Sequence, residues 1–354
     1  MTQRSPSPSA SIPVTKQLTN HISGKRPTPG FKTSFKQRLN SCAKLAAIVI
    51  AGLGLGSCAE PISQQVIDRP DKPNVVATST MLWDLTDRVG GDEIDLVGIL
   101  RPGADPHIYE PVPRDIVAIE AAELIFYNGY NLEPALIKLI TASGINAEKI
   151  ALGELVEPLD FDYQGKTAPD PHVWGSARNA IVMVEAIREY LTELSPEDAA
   201  LFAQNADQLI AELKQLDQWI TVQIATIPES QRYLVTTHDA FQYYAVAYDI
   251  PVAGTLIGIS TEEQPSAQTV KNLSDTIKEL GVPTIFAEST INPALIKTVA
   301  AEAGVNLAEQ KLYSDSIGSL DSEANSYVMM LVVNTRTIVN GLGGNYENFE
   351  PSEQ

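Results

Sequence analysis

Thiol chemistry has almost no material in this chain. Its 354 residues hold 2 cysteines, Cys42 and Cys58, both near the N-terminal end. Histidine is nearly as scarce, at 4. Basic residues are outnumbered, with Lys+Arg 25 against Asp+Glu 44 and a formal net charge of −19. Such a surface repels phosphate backbones, so nucleic acid is excluded as a partner. No apolar run reaches the roughly 20 residues that a membrane-spanning helix needs. No H-E-x-x-H stands anywhere in the sequence, which removes the commonest metalloprotease signature.

The acid excess is unevenly placed. Residues 1–57 carry Arg4, Lys16, Lys25, Arg26, Lys32, Lys36, Arg38 and Lys44 and no acidic residue. An apolar stretch from Leu45 to Leu55, broken only by glycines, follows and ends in Leu55-Gly56-Ser57-Cys58. A basic region, a short apolar run and small residues before a cut site make an export signal. The small residues before Cys58 resemble a bacterial lipobox, in which the cysteine becomes the lipidated first residue. The expected protein is exported and lipid-anchored through Cys58 at the outer face of the bacterial cytoplasmic membrane. Cleavage there removes 8 basic residues and no acidic one, leaving 17 against 44 and a net charge of −27. Cys42 leaves with the leader, so disulfides, zinc-thiolate sites and cysteine nucleophiles are excluded from the body.

After a polar tether over residues 58–73, short β-branched runs alternate with helical patterns. Val75 to Ser79, Ile94 to Leu100 and Leu124 to Asn128 read as buried strands, followed in the second half by Tyr233 to Thr237, Val252 to Ile257 and Thr284 to Ala287. Strands spaced by helices predict parallel sheets built from βαβ units. Ser176 to Leu194 reads as a helix. Beyond it, Phe202, Ala206, Leu209, Leu213, Leu216, Ile220, Ile224 and Ile227 form one apolar stripe at three- and four-residue steps. Ser195 and Pro196 suit its start and Pro228 its end. The expected fold is α/β: two parallel-sheet lobes joined by a single long spine helix. The boundaries read from sequence are a signal sequence at 1–57, the tether at 58–73, a first lobe at 74–194, the spine at 195–228, a second lobe at 229–344 and a tail at 345–354.

Two of the scarce histidines close identical tripeptides, Asp105-Pro106-His107 and Asp170-Pro171-His172. Proline fixes its own φ and pushes the residue before it out of helix, so each imidazole leaves a stiff corner. A preset imidazole is what a metal site requires. His238 follows the apolar run Tyr233 to Thr237, and ligand sites in open α/β sheets lie at the carboxyl ends of strands. A shared site would therefore sit in the cleft between lobes. Spacing does not choose a fourth ligand, since Asp315 and Glu288 both end second-lobe runs. Asp170 and Asp239 adjoin the histidines and are candidates to orient the imidazoles. Trp174 and Tyr109 are candidates to wall the site from water.

The stretches RPGADPHIYEP, APDPHVW, LVTTHDAFQYYAVAYDIP, GISTEEQPSA, IFAEST and LYSDSIG resemble the metal-receptor lipoproteins of manganese- and zinc-type ABC importers. The similarity runs over about residues 74–344. It implies a metal held by His107, His172, His238 and Asp315, two from each lobe, with Glu288 beside the site and not bound to the ion. It further implies an extracytoplasmic, monomeric receptor that hands Zn²⁺ or Mn²⁺ to a membrane permease and catalyses no reaction. Metal preference is mixed on this resemblance. Manganese-preferring members typically have glutamate where His238 stands, whereas zinc-specialised ones often carry a His-rich loop that residues 108–171 lack. A surface adhesin would also use a lipid anchor but needs no histidines at strand ends. A metal-dependent hydrolase would keep an open coordination position, unlike three imidazoles and a carboxylate.

Overall fold

Parallel βα units lie on either side of one long helix. The structure, a computed structural model, describes residues 72–144, 146–163 and 166–351. The first half runs β1 (Asn74–Ala77), α1 (Thr80–Gly90), β2 (Asp95–Gly98), α2 (Pro113–Ala121), β3 (Leu124–Tyr127), α3 (Pro134–Ala142), β4 (Glu148–Ala151), β5 (Asp160–Tyr163), β6 (Lys166–Pro169) and α4 (Ala177–Leu194). Then come α5 (Ala199–Ala225), β7 (Leu234–His238), α6 (Gln242–Tyr248), β8 (Val252–Ile257), α7 (Ala267–Leu280), β9 (Thr284–Ile285), α8 (Ala294–Ala303), β10 (Asn306–Leu307) and α9 (Tyr327–Gly341).

The first lobe is a parallel sheet in the order β2-β1-β3-β4, with Val75 opposite Leu96 on one side and Leu124 on the other. Val75, Val76 and Ala77 are all buried, as a central strand covered on both faces must be. In the second lobe β7 pairs with β8 and β9 with β10, again parallel. The two pairs meet where the Phe286 N–H donates to the Val235 carbonyl at 2.9 Å. The order β8-β7-β9-β10 repeats the order of the first lobe. The six expected strands are all present, and no end differs from its expected position by more than two residues. An antiparallel hairpin, β5 with β6, had not been expected; it carries the chain into the second Asp-Pro-His corner.

Helix α5 is the spine. Its 27 residues span about 40 Å at about 1.5 Å each. Phe202, Ala206, Leu209, Leu213, Leu216, Ile220 and Ile224 are buried along one side, against α1, α4 and α9. Its entry is a 3₁₀ turn over Pro196–Asp198. There Ser195 uses its hydroxyl to donate to the Asp198 carboxylate at 2.7 Å, and not as an acceptor for a helix N–H. Residues Asn345 to Glu347 return along the spine: the Asn345 N–H donates to Thr226, the Glu347 N–H to Gln223, and the Trp219 indole to the Glu347 carbonyl. No helix among the described residues is long and apolar enough to cross a membrane. Cys58 and the leader lie outside the described residues.

Candidate metal centre

The two Asp-Pro-His corners fold alike. In each, the aspartate Oδ1 accepts the main-chain N–H of the histidine two residues on, at 3.0 Å for Asp105 and His107 and 2.9 Å for Asp170 and His172. This Asx turn is the local bond that short carboxylates favour, and the intervening proline stiffens it. The repeat in sequence is thus a repeat in structure.

The corners converge. His107 lies in the loop after β2, His172 follows β6, His238 is the last residue of β7, and Asp315 lies on the segment after β10. One ligand atom from each of His107, His172, His238 and Asp315 lies within 4.8 Å of every other. His107 Nε2 is 3.2 Å from His172 Nε2. His172 Nε2 lies 3.6 Å from Asp315 Oδ1, and His238 Nε2 lies 3.4 Å from Asp315 Oδ2. Four donors at about 2.0–2.1 Å from a tetrahedral ion stand about 3.3 Å apart, so the cluster has the size of such a site. All four side chains are buried.

The far side of two rings is fixed. His172 Nδ1 lies 2.7 Å from Asp170 Oδ1. His238 Nδ1 contacts Glu288 Oε2, while Glu288 Oε1 accepts the main-chain N–H groups of Thr237 and His238 at 2.8 Å each. A ring that donates from Nδ1 presents its Nε2 lone pair inward, as a metal ligand must. Glu288 therefore faces away from the cluster centre. Asp239, next to His238 in the chain, accepts from the Gln242 amide through Oδ1 at 2.7 Å. The Trp174 ring edge packs on His172 with centroids 5.4 Å apart. Tyr109 is turned elsewhere and donates to Asp115 at 2.9 Å.

Charge is balanced around the cluster. Burial pushes the His107 imidazolium down to about 3, with His172 and His238 adding to the effect, so that ring stays neutral. Burial also opposes charge on His238, but Asp315 and Glu288 outweigh it and hold its pKa well above the ordinary value, so a metal takes the Nε2 lone pair by displacing a proton. Burial would likewise raise Asp315, yet His238, His107 and His172 keep it below the usual carboxylate range. Two buried atoms of the cluster, His238 Nε2 and Asp315 Oδ1, have no hydrogen-bond partner. Buried polar atoms are nearly always paired, and a cation between these two would satisfy both. A cavity of about 560 Å³ opens beside His107, lined by Tyr130, Phe161 and Pro171 from the first half and Ile259 and Glu262 from the second.

Sequence reasoning missed Asn128 and Glu133. The Asn128 amide donates to the Pro171 carbonyl at 2.9 Å, behind the second corner. Glu133, fully buried, accepts the Asn128 N–H at 2.7 Å and the Thr78 hydroxyl at 2.8 Å. The only signal in sequence is that a strand ends at Asn128, just where a sheet positions its site.

The chain is similar to several known proteins. The manganese-binding lipoprotein MntA of Halalkalibacterium halodurans is 30% identical over 302 residues, covering 85% of this chain and 98% of its own. The manganese ABC transporter substrate-binding lipoprotein scaA of Streptococcus gordonii is 32% identical over 311 residues, covering 86% and 99%. The solved structure of the periplasmic zinc-binding protein TroA of Treponema pallidum superposes with a TM-score of 0.73 at 30% identity, over 77% of this chain and 99% of its own. Residues 75–341 match the family described as the periplasmic component A of the zinc-uptake complex, and the chain belongs to that family.

Proposed function

We propose that this protein is the extracytoplasmic receptor of an ABC importer, capturing Zn²⁺ or Mn²⁺ and delivering it to the membrane permease. The observation that carries the reading is the buried convergence of His107, His172, His238 and Asp315, with two of their atoms left unpartnered. These four side chains are the metal ligands. Three imidazoles and one carboxylate fill a tetrahedral set and leave no position for a reacting water, which suits holding a metal and not catalysis. Relatives named for manganese and a structure named for zinc support both cargoes. Imidazole favours zinc, and zinc outranks manganese at nearly any such set of donors, so zinc binds more tightly to the isolated protein.

The working cycle is capture and hand-off. Ligands come from both sides of the cleft, so the ion favours the closed pairing of lobes by its differential affinity for that state. The permease then selects the loaded form. The protein works as a monomer, tethered through lipidated Cys58; the lipobox-like sequence and relatives named as lipoproteins support the anchor. Calorimetric titration of metal-stripped residues 59–354 with zinc and with manganese tests the site. One-to-one tight binding that disappears in His172→Ala is the expected result. No binding of either ion would refute the reading.

A further inference from the structure

The segment carrying Asp315 changes partners part-way along. At its start it belongs to the second lobe: the Leu312 N–H donates to the Ala287 carbonyl at 2.9 Å, and the Ser289 N–H to the Leu312 carbonyl at 2.8 Å. Tyr313 is then gripped by Asn334 of α9, which accepts its N–H at 2.8 Å and donates to its carbonyl at 2.7 Å. From Ser314 onward the segment also bonds the first lobe. The Trp174 indole donates to the Ser314 carbonyl at 2.8 Å. The Gly103 N–H donates to the Ser316 hydroxyl at 2.8 Å, and the Ile317 N–H to the Thr80 hydroxyl at 3.0 Å. The Thr80 and Ser316 hydroxyls are themselves 3.3 Å apart.

The start of α9 is tied the same way. The Tyr327 N–H donates to Asp84 of α1 at 2.9 Å, and the Tyr327 hydroxyl to the Trp174 carbonyl at 2.6 Å. Against these, the second-lobe contacts of the Asp315 carboxylate are long: the Thr290 hydroxyl donates to it at 3.4 Å, near the limit for a hydrogen bond, and His238 Nε2 lies 3.4 Å from it. His238 is held quite differently, by Glu288 on its own sheet.

We propose that Thr80, Gly103, Trp174 and Ser316 bolt the Asp315 loop to the first lobe, so that Asp315 travels with His107 and His172 and the ion is released by parting from His238. This rests on the reading of these four side chains as metal ligands. The division is then three ligands against one, and not two against two. Opening of the cleft breaks one metal bond and leaves a three-ligand half-site, from which the ion departs toward the mouth beside His107. Thr80 and Ser316 are positioning residues: they touch no ion but fix where the carboxylate stands.

Hydrogen exchange of the full chain, zinc-loaded and metal-stripped, tests the bolt directly. The Gly103 and Ile317 amides are expected to stay slow in both states. Their becoming as fast as exposed loop amides on zinc removal would overturn the proposal, because the loop would then have moved away with the second lobe. A second readout is the zinc dissociation rate of Ser316→Ala, which removes the acceptor for Gly103 and frees the loop. The loss of one buried hydrogen bond corresponds to dissociation about fivefold faster, with association unchanged and with rescue by Ser316→Thr. A folded Ser316→Ala that releases zinc at the parent rate would also overturn it. If the parent chain bound no zinc at all, the ligand reading would fail instead, while slow Gly103 and Ile317 amides would still report an intact bolt.

Discussion

Glu288→Gln should weaken zinc binding without unfolding the protein. The carboxylate spends one oxygen on the Thr237 and His238 main-chain N–H groups and the other on His238 Nδ1. Glutamine keeps the volume and an oxygen for the two N–H groups, but it turns an NH₂ toward Nδ1. That nitrogen must then accept, so the ring proton moves to Nε2, the atom that should hold the metal. Changing a partner of this kind typically costs 10–100-fold in metal affinity, or about 1.4–2.7 kcal/mol. Glu288→Ala is a different perturbation: it strands two buried N–H donors, at about 1–3 kcal/mol each, and should lower the melting temperature of the metal-free protein as well. Zinc affinity is read by competition with a chromophoric chelator and stability by thermal unfolding of the stripped protein. An unchanged affinity in Glu288→Gln would refute the tautomer argument. A loss as large as that of a ligand-to-alanine change would show Glu288 bound to the ion itself.

Glu133 should make the metal-free protein less stable as pH rises. Burial pushes its carboxyl up to about 7 from the ordinary 4.5, although the Asn128 N–H and the Thr78 hydroxyl favour its charged form. The folded state therefore binds the extra proton between those values, so stability falls from about pH 4.5 to about pH 7 and is flat above. The gap is about 3 kcal/mol; Glu133→Gln should remove it, and parallel melting curves for parent and variant across that range would refute the assignment. Cys58→Ala should release the protein from the membrane fraction with metal binding intact; a variant that stayed in the membrane fraction would refute the lipid anchor. Because the spine runs behind both lobes, loading with zinc should change the radius of gyration little, and solution scattering showing large compaction would count against a stiff spine.

How much of this was legible in sequence depends on how far each bond reaches. The strands, the spine stripe and the two Asp-Pro-His corners are local patterns, each set by residues within a turn or a strand of one another. The hairpin of β5 and β6 was also legible in principle, since Asp160-Phe161-Asp162-Tyr163 alternates with period two before a glycine. The contact between Thr80 and Ser316 was not, because 236 residues separate the partners and no pattern announces it. Asp315 and Glu288 mark the boundary most sharply. Both are buried carboxylates on segments that follow second-lobe strands, and spacing gave no reason to prefer either. The difference lies in what their oxygens have left to offer. Those of Glu288 are committed to two main-chain N–H groups and a ring nitrogen, whereas Asp315 keeps a buried Oδ1 with no partner, within reach of His172. A carboxylate already satisfied by the protein orients a ligand; one left unsatisfied beside three imidazoles is suited to be one.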